Sequence, residues 1–211
     1  TMGCLSPVFE LLELEQNGLE WVYPAASVAH PLPGGGAVLL EGTVEDTAAA
    51  LGPDQRAYER LLAPFLGEPR KLFADLLAPL GLPRQPLLMA RFGFWGLRSA
   101  QQLAFGHFDG EAARALLAGC AAHSVQPLAH ALTAAFGLTF LLAGHVKAWP
   151  VARGGSPAIA AALERVCRAS GVVFETGRQV RALREVPEAR AVLFDLAPRQ
   201  LDEIAGEVLP D

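Results

Sequence analysis

Few positions in this sequence combine reactive or ligand-binding residue types at a useful spacing. Arg153-Gly154-Gly155 stands directly before Ser156-Pro157, a cap and first-turn pair that starts a helix. Two glycines there allow close approach of the backbone to a ligand, and the free N–H groups of a helix start face an electron-rich group well. Arg153 would add a positive charge. The same spacing also fits a tight turn that only starts the helix. Gly34-Gly35-Gly36 is the other glycine cluster. It leads into the strand-like run Ala37 to Glu41 and not into a helix, so it reads as a hairpin turn, not a phosphate cradle.

His123 and Ser124 are the candidate catalytic residues, because an imidazole titrates near neutrality and can accept a proton. The alternative is a histidine that merely finishes a helix. His145 offers the same choice, or a structural hydrogen bond near Trp149. The five histidines (His30, His107, His123, His130, His145) and three cysteines (Cys4, Cys120, Cys167) are scattered. No His-Glu-x-x-His or paired-cysteine spacing occurs, so no metal site is expected. The thiols read as free packing residues in a reducing compartment.

The elements expected to hold these residues are mostly helical. Trp21-Val22, Val28 and Ala37 to Leu40 have the grammar of strands and a hairpin. From Thr43 onward helices take over: Thr43 with Asp46 forms a capping box, and Gly52-Pro53 closes the first short helix. Tyr58, Leu61, Leu62 and Phe65, then Leu72, Phe73, Leu76 and Leu77, recur at three- and four-residue spacings. A further helix is expected from about Pro86 to Leu103. Asp109 is expected to cap the next, with Ala112, Leu116, Leu117 and Cys120 on its face. The grammar changes at Trp149. A helix with Ile159, Leu163 and Val166 on one face closes at Gly171, and strands are expected over 172–176, 179–183 and 191–196 before a last helix over 199–208. This predicts an α+β chain: a mainly helical region with a small antiparallel sheet over 1–148, and part of an α/β domain over 149–211.

Composition narrows the function classes. With 211 residues, 52% hydrophobic and 18% charged, the chain buries a sizeable core. A net charge of −5, with no cluster of basic and aromatic residues, sets nucleic acid aside. Residues 115–146 contain no Asp, Glu, Lys or Arg. Pro127 and several polar and glycine residues interrupt them, and Leu132 to Gly144 is shorter than the roughly 20 residues a membrane span needs. A buried helix, or the wall of a lipophilic pocket that includes Phe136, Leu138, Phe140, Leu141 and Leu142, is the expectation. Thr1 to Pro7 lacks the basic start and apolar run of a signal peptide.

Trp149-Pro-Val-Ala-Arg-Gly-Gly-Ser-Pro-Ala-Ile-Ala-Ala-Ala-Leu163 and Gly171-Val-Val-Phe-Glu-Thr-Gly-Arg-Gln-Val180 resemble the phytoene desaturase-like branch of the amine-oxidase flavoprotein superfamily. Ser6 to Phe9, Gly18 to Val22, His30 to Leu32, Ala121 to Ser124 and Ala191 to Leu201 carry the likeness along almost the whole chain. Ala148 stands where relatives often have Gly. The resemblance implies an FAD-dependent desaturase or dehydrogenase acting on an apolar or unsaturated substrate. It implies that Arg153, Gly154, Gly155, Val180, Leu196, Ala197 and Pro198 lie near the cofactor. The Gly-x-Gly-x-x-Gly fingerprint that holds the FAD pyrophosphate in that family is absent. The expectation is therefore an internal fragment, inactive alone, whose partners are a lipophilic substrate and the missing FAD-domain segments. Self-association through exposed apolar sheet surface is also expected. The compartment expected is the cytoplasm, with a peripheral place at a membrane as an alternative. The rival reading is a non-catalytic helical module that binds a lipophilic ligand or a partner subunit.

Overall fold

A computed structural model describes residues 2–79 and 81–209. Thr1, where the reading of the N-terminus begins, lies outside the described residues. The chain forms two compact units, one ending at Ala169 and the other beginning at Ser170. The sequence-based boundary at 148/149 marks the change of grammar, but residues 149–169 belong to the first unit.

The first unit is mainly helical with two small antiparallel sheets, as an α+β chain should be. Its elements are α1 (Met2–Leu5), α2 (Pro7–Leu11), β1 (Trp21–Val22), β2 (Val28–Pro31), β3 (Ala37–Leu40), α3 (Val44–Ala49), α4 (Gln55–Leu66), α5 (Pro69–Leu76), α6 (Pro86–Gly96), α7 (Ala100–His107), α8 (Glu111–Ala121), α9 (Thr133–Lys147), β4 (Val151–Ala152) and α10 (Ser156–Ala169). The β2–β3 hairpin pairs Val28 with Leu40 and Pro31 with Ala37. Its turn is the triple glycine, where Gly35 and Gly36 take φ of +86° and +78°. Thr43 caps α3 as expected, its hydroxyl accepting the Asp46 N–H.

The spaced apolar residues become the main core. Tyr58, Leu61, Leu62 and Phe65 of α4 meet Leu72 and Phe73 of α5, Leu116, Leu117 and Cys120 of α8, and Leu138, Leu141 and Leu142 of α9. Leu77 is instead exposed. Close packing is set by glycines. A Cβ on Gly119 of α8 would lie 1.9 Å from the His30 ring, and one on Gly144 of α9 would lie 2.4 Å from Leu40. The hairpin thus rests directly on the backbones of α8 and α9.

Two helix boundaries differ from expectation. The helix expected over Pro86 to Leu103 is two: α6 ends at Gly96, and Ser99 starts α7 with a capping box to Gln102. Asp109 does not cap α8; Gly110 holds that position. The buried Asp54 carboxylate anchors the turn that leads into α8, accepting the N–H groups of Asp109 at 2.8 Å and Gly110 at 2.7 Å.

A second, smaller core joins Leu14, Leu19, Ala152 and Ala162, with Phe9, Trp21, Ile159, Leu163 and Val166 packed against it. Here β1 pairs antiparallel with β4, Trp21 opposite Ala152. Gly171 closes α10 with φ of +85°.

The second unit contains α11 (Pro198–Ala205) and two short 3₁₀ turns. The strands expected over 172–176, 179–183 and 191–196 do not form. A strand's backbone groups need a neighbouring strand, and no ladder forms there. Val173 and Leu193 are 83% and 94% exposed, so no face of these runs is buried as a sheet face would be.

Candidate functional site

The Arg153-Gly154-Gly155 turn grows out of the small core. Hydrogen bonding in the β1–β4 pair continues through the Arg153 N–H, which donates to Glu20 O at 2.8 Å. The chain then reverses through Gly154 and Gly155, with φ of +84° and +82°. That is left-handed backbone, for which glycine is the residue of choice. Gly155 N–H donates back to Ala152 O at 2.9 Å, and Gly155 O accepts the first helical N–H, from Ala158, at 3.1 Å. Pro157 has no N–H to offer. The Gly154 and Ser156 N–H groups have no hydrogen-bond partner among the described residues. Added Cβ atoms at the two glycines would meet nothing closer than 3.6 Å, so the turn is open. Arg153 is not a lone charge, because its Nε lies 2.7 Å from Glu20 Oε2.

His123 and Ser124 fall in a 3₁₀ turn, Ala122–Ser124, after α8. The exposed His123 ring stacks on Phe140 at 4.5 Å and meets the edge of Trp149 at 5.2 Å. The Trp149 Nε1–H donates to Phe140 O at 3.4 Å, closing a three-ring cluster. Ser124 Oγ accepts the Gln126 N–H and does not bond to His123. His123 has the exposure a base needs, and its partners are aromatic rings. Burial, and then the proximity of His123, lowers the pKa of His30.

Among the residues expected near a cofactor, Arg153, Gly154 and Gly155 lie in the first unit. Val180, Leu196, Ala197 and Pro198 lie in the second. Val180 is half-buried, outside any helix or strand. Leu196 is exposed. Ala197 precedes α11, its N–H donating to Gln200 Oε1 at 3.1 Å, and Pro198 is the first helical residue.

The chain matches no protein-family model, no curated protein and no solved structure. Its chemistry has to be argued from these geometries.

Two features carry no signal in the sequence. Tyr58 and His145, 87 residues apart, meet in the core with the phenol 2.7 Å from Nε2. His145 Nδ1 is buried without a hydrogen-bond partner. Burial lowers the imidazole to about 4, against weaker opposite pulls from the Gly42 backbone and Glu45, and pushes Tyr58 well up. Both groups are therefore neutral near pH 7, and they fix α4 against α9 without exchanging charge. The second feature is a cleft of about 730 Å³ with Leu5, Leu14, Trp21 and Phe73 in its apolar wall and Cys4, Arg70 and Lys147 around it. None of Arg153, Gly154, Gly155, His123 or Ser124 lines it. The uncharged stretch does not wall it either: Leu138, Leu141 and Leu142 are core residues, and of residues 115–146 only Val146 reaches the cleft. Among the described residues no cluster suits a metal ion, and no helix is long and apolar enough to cross a membrane.

Proposed function

We propose that this chain is part of an FAD-dependent oxidoreductase of the phytoene desaturase-like group, contributing its substrate-domain region and one edge of the flavin site. The observation that carries this reading is the open Gly154-Gly155 turn, where two left-handed glycines leave the Gly154 and Ser156 N–H groups unpaired at the start of α10. Such a turn fits an electron-rich group, since free backbone donors and the positive end of the helix dipole occur together there. Arg153 forms an exposed ion pair with Glu20 at the base of the turn. Bound FAD would supply a hydride acceptor, and the protein would bind and orient an apolar substrate.

A titration of the purified chain with FAD, followed by flavin fluorescence, tests the reading. Quenching that is lost in Gly154→Val/Gly155→Val, with α-helical circular dichroism retained, is the expected result. Absence of binding, or equal binding by the variant, overturns the turn as a flavin contact. The alternative, a non-catalytic module for a lipophilic ligand, rests on the apolar-walled cleft beside Phe73 and Trp21. It predicts binding of an apolar fluorophore, displaced by fatty acid, with no response to FAD.

A further inference from the structure

The helix α6 is apolar on both sides. Phe92 and Gly96 are buried, and Leu88, Met89 and Trp95 pack against the main core. Yet on the opposite side Leu87 is 86% and Phe94 61% exposed. A helix that is hydrophobic all round normally has a second apolar neighbour. The patch continues past the helix end. Leu132 N–H donates to Leu97 O at 3.3 Å, which brings the exposed Leu97 beside the exposed Leu132, and Phe136 follows one turn further along α9.

The charged side chains along this face are arginines. Arg84, Arg91 and Arg98 recur every seven residues: Arg91 shares the α6 face of Leu87 and Phe94, Arg84 lies just before the first turn of α6 and Arg98 two residues past its end. No Asp or Glu occurs between Asp75 and Asp109, or between Glu111 and Glu164, in a chain whose net charge is −5. Neither Arg84 nor Arg91 has an ion-pair partner among the described residues. The Arg98 guanidinium lies over the Phe94 ring at 4.3 Å and the Trp95 ring at 4.9 Å. The Asp75 carboxylate lies at the start of α6, accepting the backbone N–H groups of Arg84 and Gln85 at 3.1 and 2.8 Å, but exposed aromatic and leucine side chains interleaved with arginines that form no ion pair among the described residues have the composition of a surface that lies in a bilayer interface.

We propose that the outer face of α6, continued by the start of α9, docks onto an anionic lipid bilayer, with Leu87, Phe94 and Leu97 among the acyl chains and Arg84, Arg91 and Arg98 at the headgroup phosphates. The helix lies in the interface plane and does not cross the membrane. The proposal is independent of the flavin reading.

Co-sedimentation of the chain with vesicles tests it. Vesicles of equal parts phosphatidylcholine and phosphatidylglycerol are expected to bind at least about tenfold more tightly than phosphatidylcholine alone, with the difference shrinking as salt is added. Arg84→Glu/Arg91→Glu should remove most of that difference. Leu87→Ser/Phe94→Ser should weaken binding to both vesicle types by about tenfold or more. These side chains are exposed, so the variants keep the wild-type circular dichroism. Equal binding to both vesicle types, or none to either, overturns the proposal. So does a dimer in vesicle-free sedimentation that Leu87→Ser/Phe94→Ser converts to monomer, since a second copy would then cover the face.

Discussion

The helices from α4 to α9 and the apolar runs over 172–196 are similarly rich in Leu, Val, Phe and Ala, yet they end up in opposite states. In the helices, Leu116, Leu138 and Leu142 are sealed from water. In the C-terminal runs Val173 and Leu193 face it. Composition does not separate them; hydrogen bonding does. A helix satisfies its own backbone and needs a neighbour only for one stripe of side chains. A strand needs a second strand before its backbone is satisfied at all. Apolar residues on helices therefore collect into a core locally, whereas apolar residues in extended runs remain at the surface until something pairs with them.

The contrast can be broken most directly by truncating one leucine in each region. Leu138→Ala should cost about 2–5 kcal/mol, the range for a fully buried leucine, while Leu193→Ala should change stability by less than about 0.5 kcal/mol. Denaturant unfolding followed by tryptophan emission reads the first, since Trp21, Trp95 and Trp149 all lie in the first unit. Amide exchange over 172–196 reads the second, and there rapid exchange is expected in the wild type as well. Protection across those residues comparable to that of α9 would sink the comparison.

Acid should act on the helical region next. His145 is held at about 4 by burial, below its ordinary value of 6.5. A base so depressed stabilises the fold fully above 6.5, and the contribution is lost as pH falls from 6.5 towards 4, by up to about 3 kcal/mol. His30, lowered for the same main reason, works in the same direction. His145→Gln should flatten the slope of unfolding free energy against pH over that window. An unchanged slope would mean that other groups carry it.

Asp54→Ala should cost about 2 kcal/mol, because it orphans the N–H groups of Asp109 and Gly110 at the start of α8. A loss below about 0.5 kcal/mol in the same unfolding assay would show that water replaces the carboxylate. The smallest effect is a gain. Ala148 takes φ of +53° and ψ of −164°, a conformation that favours glycine. Relief of that strain exceeds the extra chain entropy of glycine, so Ala148→Gly should stabilise the first unit by about 0.5–1 kcal/mol.

Those outcomes depend on features unequally visible in the sequence. The stripe Tyr58, Leu61, Leu62, Phe65 and the Thr43 cap were legible because helix periodicity and capping act within a few residues. The hairpin at Gly34 to Gly36 was legible for the same reason. The break at Ser99 was hidden in a stretch without proline after Pro86, although Ser99 and Gln102 carried the capping-box signature. Asp54 at the start of α8, the Tyr58–His145 contact and the β1–β4 pairing join residues dozens of positions apart, and local pattern contains nothing of them. Gly154 and Gly155 were legible as a turn before a helix. Their open side and the Arg153–Glu20 pair were not, since both depend on how residues 14–22 fold back against α10. The strands expected over 172–196 show the opposite failure: apolar runs that read locally as strands, with no strand pairing formed by them among the described residues.

Cys120 sits at the α8 face of the main core, fully enclosed, with burial pushing its thiol up to about 12. Cys4 and Cys167 are only half-buried. Thiolate, not thiol, reacts with alkylating agents, so Cys120 is silent in the folded protein and becomes reactive only when the helices part. The molecule thus contains an internal clock: the rate at which Cys120 takes up a label, set against Cys4 and Cys167, counts openings of the helical core without any probe being attached in advance.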